Sequence, residues 1–446
     1  MARAAVDLAI LGAGAAGMLS ALLAAQRGMR VILIDPHFSE PNNLFASGGL
    51  FPAAGSRLQR AAGVADSPHT WLADLQAFAG DSLNQRIAQA VAEALPPLID
   101  FLVDTLKAPI RFLADVPAPG HRVARFHSLE PASGRALHAW LRGAVAGENR
   151  IDCVADQAVI AVERSAQGFE LQAGRQQVAS PCLMLAGGGF GGNAEMVARY
   201  IPEMCGALNS GAATNDGSVI ALALGWGAAL AGMDGYQGQG HANPASKTRL
   251  GMSLPTLGAV LVSRDGHRFV REDIGPSALA ARVLAQPGQV ALEVFDATIE
   301  AQLANHSAYV DARAAGKIVG ADTLAALAAA TGVPAATLAQ TLADTSRYAH
   351  GATDPLGRTE FARVLAPPYR ASWVTGSLAH TQGGVVTDRA ARVLNAAGEP
   401  LHGLFAAGGS AAGLSGHGGD GYLPGNGLAQ SFGLAWLAVA AMTAGA

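Results

Sequence analysis

The chain has little of the residue types that build disulfide frameworks, metal centres and nucleic-acid-binding surfaces. Among 446 residues there are three cysteines, Cys153, Cys182 and Cys205, widely spaced and with no CxxC pair. This spacing speaks against a disulfide framework, a zinc site or an iron–sulfur site, and we expect all three to be buried, reduced thiols. The net charge is −4, with no long run of one sign, so the basic surface that a nucleic-acid-binding protein needs is not expected.

Long hydrophobic runs of the membrane type are also scarce. Residues 1–18 are apolar but have a single early arginine and no recognisable cleavage region, so they predict a folded strand and not a signal peptide. Residues 428–446 contain Gln430 and Ser431 and no flanking anchor charges, which favours a buried C-terminal helix over a membrane span. We therefore expect a cytoplasmic protein without a membrane span.

The composition favours a compact enzyme with a large interior. Half of the residues are hydrophobic and 14% are charged. A chain of 446 residues is too long for one small core, so two domains are expected. The 55 glycines are clustered, which indicates places where the backbone bends tightly or approaches a ligand closely.

The first glycine cluster lies between two predicted strands. Residues 6–11 form a short apolar run, and residues 12–17 (GAGAAG) then turn into an Ala/Leu-rich helix. A second strand, residues 30–34, ends at Asp35. The order of strand, glycine turn, helix, strand and acid predicts a Rossmann dinucleotide-binding unit.

Each residue of this fingerprint has a physical role in such a unit. Gly12 permits the tight turn, and Gly14 lets backbone N–H groups approach a pyrophosphate. Gly17 allows the helix to pack closely on the strand. Asp35 is placed to accept hydrogen bonds from the ribose hydroxyls of the dinucleotide.

The rest of the chain alternates between helical, strand and glycine-rich segments. Helical patterns are predicted at residues 69–78, 85–106 and 134–147, and strands at 152–162, 169–172 and 182–186. The character becomes mixed from about residue 232 to 369, and residues 374–442 again read as strand, glycine-rich loop and helix. This predicts an α/β fold in which a Rossmann-like cofactor domain, residues 1–231 and 370–446, is interrupted by an α+β capping domain, residues 232–369.

Six short motifs follow the glycine turn along the chain. They are residues 46–49 (ASGG), 186–193 (AGGGFGGN), 214–217 (TNDG), 266–272 (GHRFVRE), 380–385 (HTQGGV) and 403–408 (GLFAAG). In this order they resemble the loop beneath the flavin and the ATGGFGGN, TGDG, GxRFVNE, HTMGGV and GLYAAG motifs of the fumarate reductase/succinate dehydrogenase flavoprotein superfamily. The resemblance is strongest to the soluble members and to the 3-ketosteroid dehydrogenases.

This resemblance implies FAD as the cofactor, with hydride passing between a substrate carbon and flavin N5. Some relatives tether FAD through a histidine just before the loop that matches residues 46–49, but Phe45 stands in that region here, so noncovalent FAD is expected. The residues expected to bind it are Gly12, Gly14, Ala15, Ala16, Gly17, Asp35, Pro36, Ser47, Gly48, Gly49, Ala158, Ala186, Gly187, Asn193, Asp216, Gly408, Asn426, Gly427 and Leu428.

Departures from the superfamily pattern bear on the substrate. The arginine that delivers the proton in fumarate reductases corresponds to Pro276, and the tyrosine of ketosteroid dehydrogenases near this place is also absent. The glutamate and arginine of the proton path correspond to Met252 and Pro255, and a substrate-gripping arginine corresponds to Tyr422. Each lost arginine removes a charge-assisted anchor worth roughly 1.5–3 kcal/mol, which disfavours a dicarboxylate such as fumarate.

Four residues are the candidate catalytic groups. Tyr422 and Gly427 lie in residues 421–427 (GYLPGNG), similar to the YPGPG loop of ketosteroid dehydrogenases, in which a phenol O–H and a glycine N–H polarise a substrate ketone. His380 lies in a matched motif, and His241 resembles the substrate-side HP histidine of the superfamily. Histidine has an ordinary pKa of about 6.5, which suits general acid or base work.

We therefore expect an FAD-dependent oxidoreductase that acts at a carbon next to a carbonyl in a largely uncharged small molecule, with cyclic compounds among the candidates. Two alternatives stay open: oxidation of a C–N or C–O bond, which would explain Pro276, and a flavin-binding protein without turnover of its own. The histidines could also be structural, and Tyr422 could serve only to fill space. Only one dinucleotide fingerprint is present, so the electron partner is expected to be a quinone, another flavoprotein, a haem protein or oxygen.

Overall fold

The computed structural model of the chain describes residues 4–116, 120–251, 253–304 and 306–444. The strands are β1 (Ala4–Ala5), β2 (Leu8–Leu11), β3 (Val31–Asp35), β4 (Phe51–Pro52), β5 (Arg111–Phe112), β6 (Phe126–Ser128), β7 (Ile151–Ala155), β8 (Val159–Ser165), β9 (Gly168–Ala173), β10 (Gln176–Ser180), β11 (Cys182–Leu185), β12 (Leu208–Asn209), β13 (Leu230–Ala231), β14 (Tyr236–Ala242), β15 (Val260–Val262), β16 (Ala291–Asp296), β17 (Val319–Ala321), β18 (Tyr369–Thr381), β19 (Gly384–Val385), β20 (Arg392–Leu394) and β21 (Pro400–Ala406). The α-helices are α1 (Ala15–Gln26), α2 (Asn43–Ala46), α3 (Arg57–Ala61), α4 (Pro68–Ala79), α5 (Gln85–Asp104), α6 (Gly134–Ala146), α7 (Ala194–Tyr200), α8 (Ser218–Gly225), α9 (Leu254–Leu257), α10 (Pro276–Leu284), α11 (Ala297–Leu303), α12 (Ser307–Ala314), α13 (Leu324–Thr331), α14 (Ala335–Ala349) and α15 (Asn426–Ala444).

The chain forms two compact units. Unit 1 consists of Met1–Met196, Gly211–Tyr236 and His380–Ala446, and unit 2 of Val197–Ser210 and Gln237–Ala379. The predicted capping domain, residues 232–369, overlaps unit 2, which also extends to Ala379 and takes in Val197–Ser210. That short segment joins unit 2 because its strand β12 pairs in parallel with β18.

A six-stranded sheet with the order β20-β21-β11-β2-β3-β7 forms the centre of unit 1. The strands from β21 to β7 are parallel, and β20 runs antiparallel at the edge. Strands β2 and β3 are nearly continuous apolar runs with buried side chains, as expected for parallel strands covered on both faces. The register pairs Leu11 with both Ile34 and Leu185, so the carboxyl ends of three strands meet at one edge of the sheet.

Helices and smaller sheets complete unit 1. The smaller sheets have the orders β1-β10-β9-β8, β4-β6-β5 and β13-β19. Helices α4, α5 and α6 begin after Ser67, Asn84 and Ser133, whose side chains accept hydrogen bonds from backbone N–H groups of the first turn. These caps satisfy donors that have no partner inside the helix. Helix α15 packs against α1 and α5.

Unit 2 is built on a second sheet, with the order β12-β18-β16-β15 and with β14 and β17 also paired to β18. Alternate residues of β16 face opposite ways: Phe295 packs in a cluster with α10, α11 and α12, and Val294 packs in a cluster with α13 and α14. Both faces of the sheet are covered, so all six residues of β16 are buried, including the charged Glu293 and Asp296.

Two sequence predictions can be compared directly with burial. The prediction that all three cysteines are buried is wrong: Cys153 and Cys205 are exposed and Cys182 is partly buried, because Cys153 lies on the edge strand β7. Among the residues that the structure describes, one helix, α15, is long and apolar enough to cross a membrane; its most apolar 18 residues have a mean hydropathy of 1.4, and half of them are buried. Met252 lies outside the described residues.

Candidate active site

The glycine bend at the end of β2 is fixed by steric contact. Gly12 has a φ of +106°, and a Cβ there would lie 2.4 Å from the carbonyl oxygen of Ala186. A Cβ on Gly17 would lie 1.8 Å from the carbonyl oxygen of Gly12. Both positions therefore require glycine, because the first helix, the bend and the end of β11 are in contact through backbone atoms.

In contrast to the crowded bend, the space beside Gly14 at the start of α1 is open. A Cβ on Gly14 would meet no atom within 4 Å, and no acidic residue lies in the first turn of the helix. The first N–H groups of a helix, here including those of Ala15 and Ala16, have no acceptor within the helix. These donors and the positive end of the helix dipole fit the pyrophosphate of a dinucleotide.

Asp35 ends β3 beside this bend. One carboxylate oxygen accepts a hydrogen bond from the backbone N–H of Ala13 at 2.6 Å and the other from that of His37 at 2.7 Å. Each oxygen keeps a further lone pair, so the carboxylate is held in place and can still accept from ribose hydroxyls. Pro36 is exposed in the turn that follows.

A second set of predicted cofactor residues lies at the start of α15. Asn426, Gly427 and Leu428 form its first turn, and Asn426 is fully buried with its Oδ1 atom lacking any hydrogen-bond partner. Gly408 has a φ of +65°, and its carbonyl oxygen accepts from Gln430 Nε2 at 2.8 Å. A buried, unpaired amide oxygen needs a donor, and a flavin supplies such donors, so these residues also fit FAD.

The loop predicted to lie beneath the flavin is internally braced. Ser47 donates through its hydroxyl to Leu44 O at 2.7 Å and accepts from the N–H of Gly49 at 3.1 Å. Gly49 has a φ of +69°, and a Cβ there would lie 2.5 Å from Ser133. Gly48 is exposed, and the ring of Phe45 is packed edge-on to His138, with their centroids 5.7 Å apart.

The remaining predicted cofactor residues have structural partners. Asn193 Oδ1 accepts from the first N–H groups of α7, and its Nδ2 donates to the carbonyl oxygen of Asp216 at 2.9 Å. Asp216 in turn accepts from the N–H of Ser218 at the start of α8. A Cβ on Gly187 would press against Val219. Ala158 is exposed between β7 and β8.

The structure brings three of the four candidate catalytic residues together in unit 1. The backbone N–H groups of Gly425 and Gly427 face the phenol oxygen of Tyr422 and favour negative charge on it. Burial raises the pKa of Tyr422, and these two amides oppose part of that rise. The sequence prediction assigned the N–H of Gly427 to the substrate, whereas in the structure it is directed to Tyr422.

His380 lies against the same loop. Its ring is edge-on to that of Tyr422, with the centroids 5.6 Å apart, and a Cβ on Gly427 would lie 2.9 Å from His380 Nε2. His380 Nδ1 lies 2.9 Å from Gln382 Nε2 and 3.3 Å from the carbonyl oxygen of Thr381. Although the residue keeps some exposed surface, burial of the imidazole lowers the pKa of His380 to about 4, so the ring is neutral at pH 7.

His241, the fourth candidate, lies on β14 in unit 2. Its Nδ1 is 3.0 Å from the carboxylate of Glu293, and both side chains are buried. Because the carboxylate can accept a hydrogen bond from Nδ1–H, the Nε2 atom is left to exchange a proton with another group. Among the described residues, no group of three or more histidine, cysteine or acidic side chains could hold a metal ion.

Glu272 belongs to a buried ion network in unit 2. It accepts a bidentate pair from Arg268 at 2.7 Å and a further bond from Arg358 at 3.0 Å, and Arg268 also pairs with Asp354. Pro276, which replaces the proton-delivering arginine, is the first residue of α10. The network therefore has a structural function, and its arginines are already paired.

Two residues of the site were missed from the sequence. Glu293 lies in the middle of the fully buried strand β16, whose other charged residue, Asp296, ends the strand, and a carboxylate in such a strand signals a specific partner. Gln382 is buried beside His380, and the signal was its place inside a recognised motif. Both could have been found by asking which polar side chain cannot reach water.

Comparison with known proteins agrees with this geometry. Residues 7–428 match the FAD binding domain family. The probable fumarate reductase Ifc3 of Shewanella frigidimarina (strain NCIMB 400) is 30% identical, over 92% of this chain and 70% of that protein. The 3-oxosteroid 1-dehydrogenase of Mycobacterium tuberculosis (strain ATCC 25618 / H37Rv) is 25% identical, over 92% and 94%.

The fold is similar to a solved structure of the same kind. The open conformation of a flavocytochrome c3 fumarate reductase superimposes with a TM-score of 0.84 and 28% identity, covering 99% of this chain and 78% of that one. The predicted fold class, an α/β Rossmann-like FAD-binding domain with an inserted α+β domain, is confirmed by this likeness and by the family match. The chain belongs to the FAD binding domain family, and it is an FAD-dependent oxidoreductase related to the fumarate reductases and the 3-ketosteroid dehydrogenases.

Proposed function

We propose that the protein transfers hydride between FAD and a carbon next to a carbonyl group in a largely uncharged small molecule. When bound, the flavin supplies the hydride acceptor or donor at N5. The observation that carries the proposal is the placement of Tyr422, whose ring lies edge-on to His380 and whose phenol oxygen faces two backbone N–H groups.

This arrangement leaves the O–H group of Tyr422 available as a hydrogen-bond donor. A phenol has one O–H donor and two acceptor lone pairs, and the N–H groups of Gly425 and Gly427 face this oxygen. The hydroxyl hydrogen is then left to donate to another acceptor, and a substrate carbonyl oxygen is one. The two N–H groups polarise the O–H further, so Tyr422 can stabilise the negative charge that develops on an enolate oxygen.

The charges of unit 2 support an uncharged substrate. Arg268 and Arg358 are held by Glu272, and Arg271 by Asp273 at 2.7 Å. The pairs of Arg268 and Arg358 with Glu272 are buried, and removing one partner of such a pair costs about 3–5 kcal/mol. With Pro276 at the position of the proton-delivering arginine, a dicarboxylate finds neither of the anchors that the superfamily pattern supplies.

The proton that accompanies hydride transfer needs a separate carrier. We assign the role of proton carrier to His241 or His380. We also propose that FAD is bound noncovalently by Gly14, Asp35 and the first turn of α15. His241 has the stronger claim as a base because Glu293 can stabilise its protonated form. The relative named 3-oxosteroid 1-dehydrogenase carries in its name a ketone substrate of the proposed class.

The test is flavin oxidation state under anaerobic conditions. Reduced enzyme is mixed with cyclohexenone, with androstenedione and with fumarate in a stopped-flow instrument, and reoxidation is followed at the flavin absorbance band; oxidised enzyme is mixed with the saturated ketones in the reverse direction. We expect a reaction with at least one uncharged carbonyl compound. Reoxidation by fumarate at least ten times faster than by either enone would overturn the proposal.

A further inference from the structure

A chain of hydrogen bonds in unit 1 ends on the imidazole of His380. Asn426 Nδ2 lies 3.2 Å from Ser415 Oγ, which lies 2.7 Å from Gln382 Oε1. Gln382 Nε2 lies 2.9 Å from His380 Nδ1. Asn426 is fully buried and Gln382 is 3% exposed, whereas Ser415 and His380 are partly buried.

A carbonyl group identifies the donor at the Asn426 end of this chain of hydrogen bonds. Asn426 Nδ2 also lies 3.4 Å from the carbonyl oxygen of Leu414, which can only accept, so this end of the amide is the donor. Ser415 Oγ therefore accepts from Asn426, and its own hydrogen is free to donate to Gln382 Oε1.

The same reasoning assigns the direction of the hydrogen bond between Gln382 and His380. With Oε1 occupied as an acceptor, the amide nitrogen of Gln382 faces His380 Nδ1, and an amide nitrogen can only donate. His380 Nδ1 also lies 3.3 Å from the carbonyl oxygen of Thr381, but the contact with Gln382 Nε2 is shorter, at 2.9 Å. We therefore assign Nδ1 as the acceptor of the shorter bond, without a proton. In a neutral imidazole the proton is consequently on Nε2.

The position of Nε2 suits a donor. It is the atom of His380 that lies against Gly427, beside the loop that holds Tyr422. Burial favours the neutral form of the ring, so the Nε2–H does not become part of an imidazolium at ordinary pH. The Nε2–H of His380 can thus donate a hydrogen bond, and the ring is a poor proton acceptor.

Gln382 distinguishes this chain from the motif that it otherwise follows. The superfamily motif HTMGGV has methionine where HTQGGV has Gln382. A thioether is a weak acceptor and has no donor, so methionine could not impose a tautomer on the neighbouring histidine. The substitution therefore replaces an apolar neighbour of His380 with a side chain that forms directional hydrogen bonds.

We infer that Gln382 is a positioning residue that holds His380 as the neutral Nε2–H tautomer, so that His380 donates a hydrogen bond to an uncharged substrate oxygen. The substrate half of this inference rests on the proposed function. The tautomer itself does not, because it is a property of the enzyme before substrate binds.

The tautomer is measured by ¹⁵N NMR on FAD-loaded enzyme with labelled histidine and no substrate. His380→Asn identifies the resonances of His380 by their loss. We expect a proton on Nε2 alone in the wild type, a mixture of both tautomers in Gln382→Met, and a proton on Nδ1 in Gln382→Glu, whose carboxylate can only accept. A wild-type proton on Nδ1, or an unchanged tautomer in Gln382→Met, overturns the inference.

Two further variants keep the test decisive. Ser415→Ala removes the donor that orients Gln382, so the second tautomer should appear there too, even if Gln382→Met does not fold. Gln59→Met removes another buried amide, which bonds Gly55 and Ala124, and should leave His380 unchanged. A shift of the His380 tautomer in this control of the same size as in Gln382→Met would show a general packing effect and overturn the assignment.

Kinetics separate the inference from the proposed function. With cyclohexenone as the probe, Gln382→Met should lower kcat/KM by roughly 3- to 10-fold, the loss of one neutral hydrogen bond. If the tautomer shifts as expected but no enone reacts with any form of the enzyme, the proposed function fails and the positioning role of Gln382 stands. If enones react and the tautomer does not shift, the positioning role fails alone.

Discussion

The Nδ1 atom of His241 lies 3.0 Å from the carboxylate of Glu293, and both side chains are buried. The two residues come from different strands of unit 2, β14 and β16. A buried carboxylate beside a histidine fixes which ring nitrogen carries the proton and stabilises the ring when it becomes charged. This relationship makes His241 the stronger candidate for proton transfer.

Glu293→Gln tests this assignment. The amide keeps the shape of the side chain but removes the negative charge that stabilises protonated His241, so kcat should fall by roughly a hundredfold, within the range attributed to general acid–base catalysis. Stopped-flow flavin reduction or reoxidation with a reactive ketone gives the rate. Glu300→Gln is the matched control, because Glu300 bonds Arg370 and Tyr309 in the same unit; an equal loss in both variants would count against a catalytic role.

Tyr422→Phe tests the polarising phenol. Removing one preorganised donor from an oxyanion site costs about 10²–10³ in rate, and we expect such a loss in kcat with the FAD content unchanged. Tyr309→Phe removes a phenol that donates to Glu300 at 3.1 Å and should retain most of the activity. An enzyme with Tyr422→Phe that binds FAD and turns over at the wild-type rate would remove this role.

Gly14→Ala and Gly12→Ala should fail in different ways. A Cβ on Gly14 meets no protein atom within 4 Å, so this variant should fold with nearly the wild-type Tm but bind FAD at least about tenfold more weakly, because the added methyl group blocks the pyrophosphate. Gly12→Ala would place Cβ 2.4 Å from Ala186 O at a φ of +106° and should lower the Tm of the protein itself. The apo-protein Tm and the flavin absorbance after gel filtration distinguish the two; equal effects would argue against the assigned pyrophosphate contact.

Stability should fall as pH decreases below about 6.5. His127 is fully buried, with Nε2 bonded to Ser56 Oγ at 2.8 Å and Nδ1 to the carbonyl oxygen of Arg125 at 3.0 Å. Burial lowers the pKa of His127 to about 4, below the unfolded value of about 6.5. Between these values the unfolded chain binds the extra proton, so the folded state loses up to roughly 3 kcal/mol as pH falls from 6.5 to 4.

The pH dependence of the Tm checks this. His127→Gln removes the titrating group and should flatten the decline of the Tm between pH 6.5 and pH 4.5, whatever its effect at pH 7. His37→Gln is the control, because His37 is exposed and its ring pairs with Glu40 at the surface. The same slope in wild type and His127→Gln would show that other groups control acid unfolding.

Much of unit 1 follows from local sequence. The sequence predicted a strand, a glycine bend, a helix and a second strand ending in an acid, and β2, α1 and β3 follow that order. Steric rules explain why: Gly12 and Gly17 are positions where no other residue fits. The burial of the cysteines could not be predicted in this way, since edge position in a sheet depends on strand order, which the local pattern does not contain.

The sequence by itself determined the dinucleotide unit, the family and the identity of the candidate histidines and tyrosine, because these depend on short motifs with fixed spacing. Only the tertiary structure decided which groups act on them: Glu293 beside His241, Gln382 on the Nδ1 of His380, and two backbone amides on the oxygen of Tyr422. Hydrogen-bond direction and charge balance arise between residues far apart in the chain or within folded loops. They are set by packing, and packing exists only once the chain has folded.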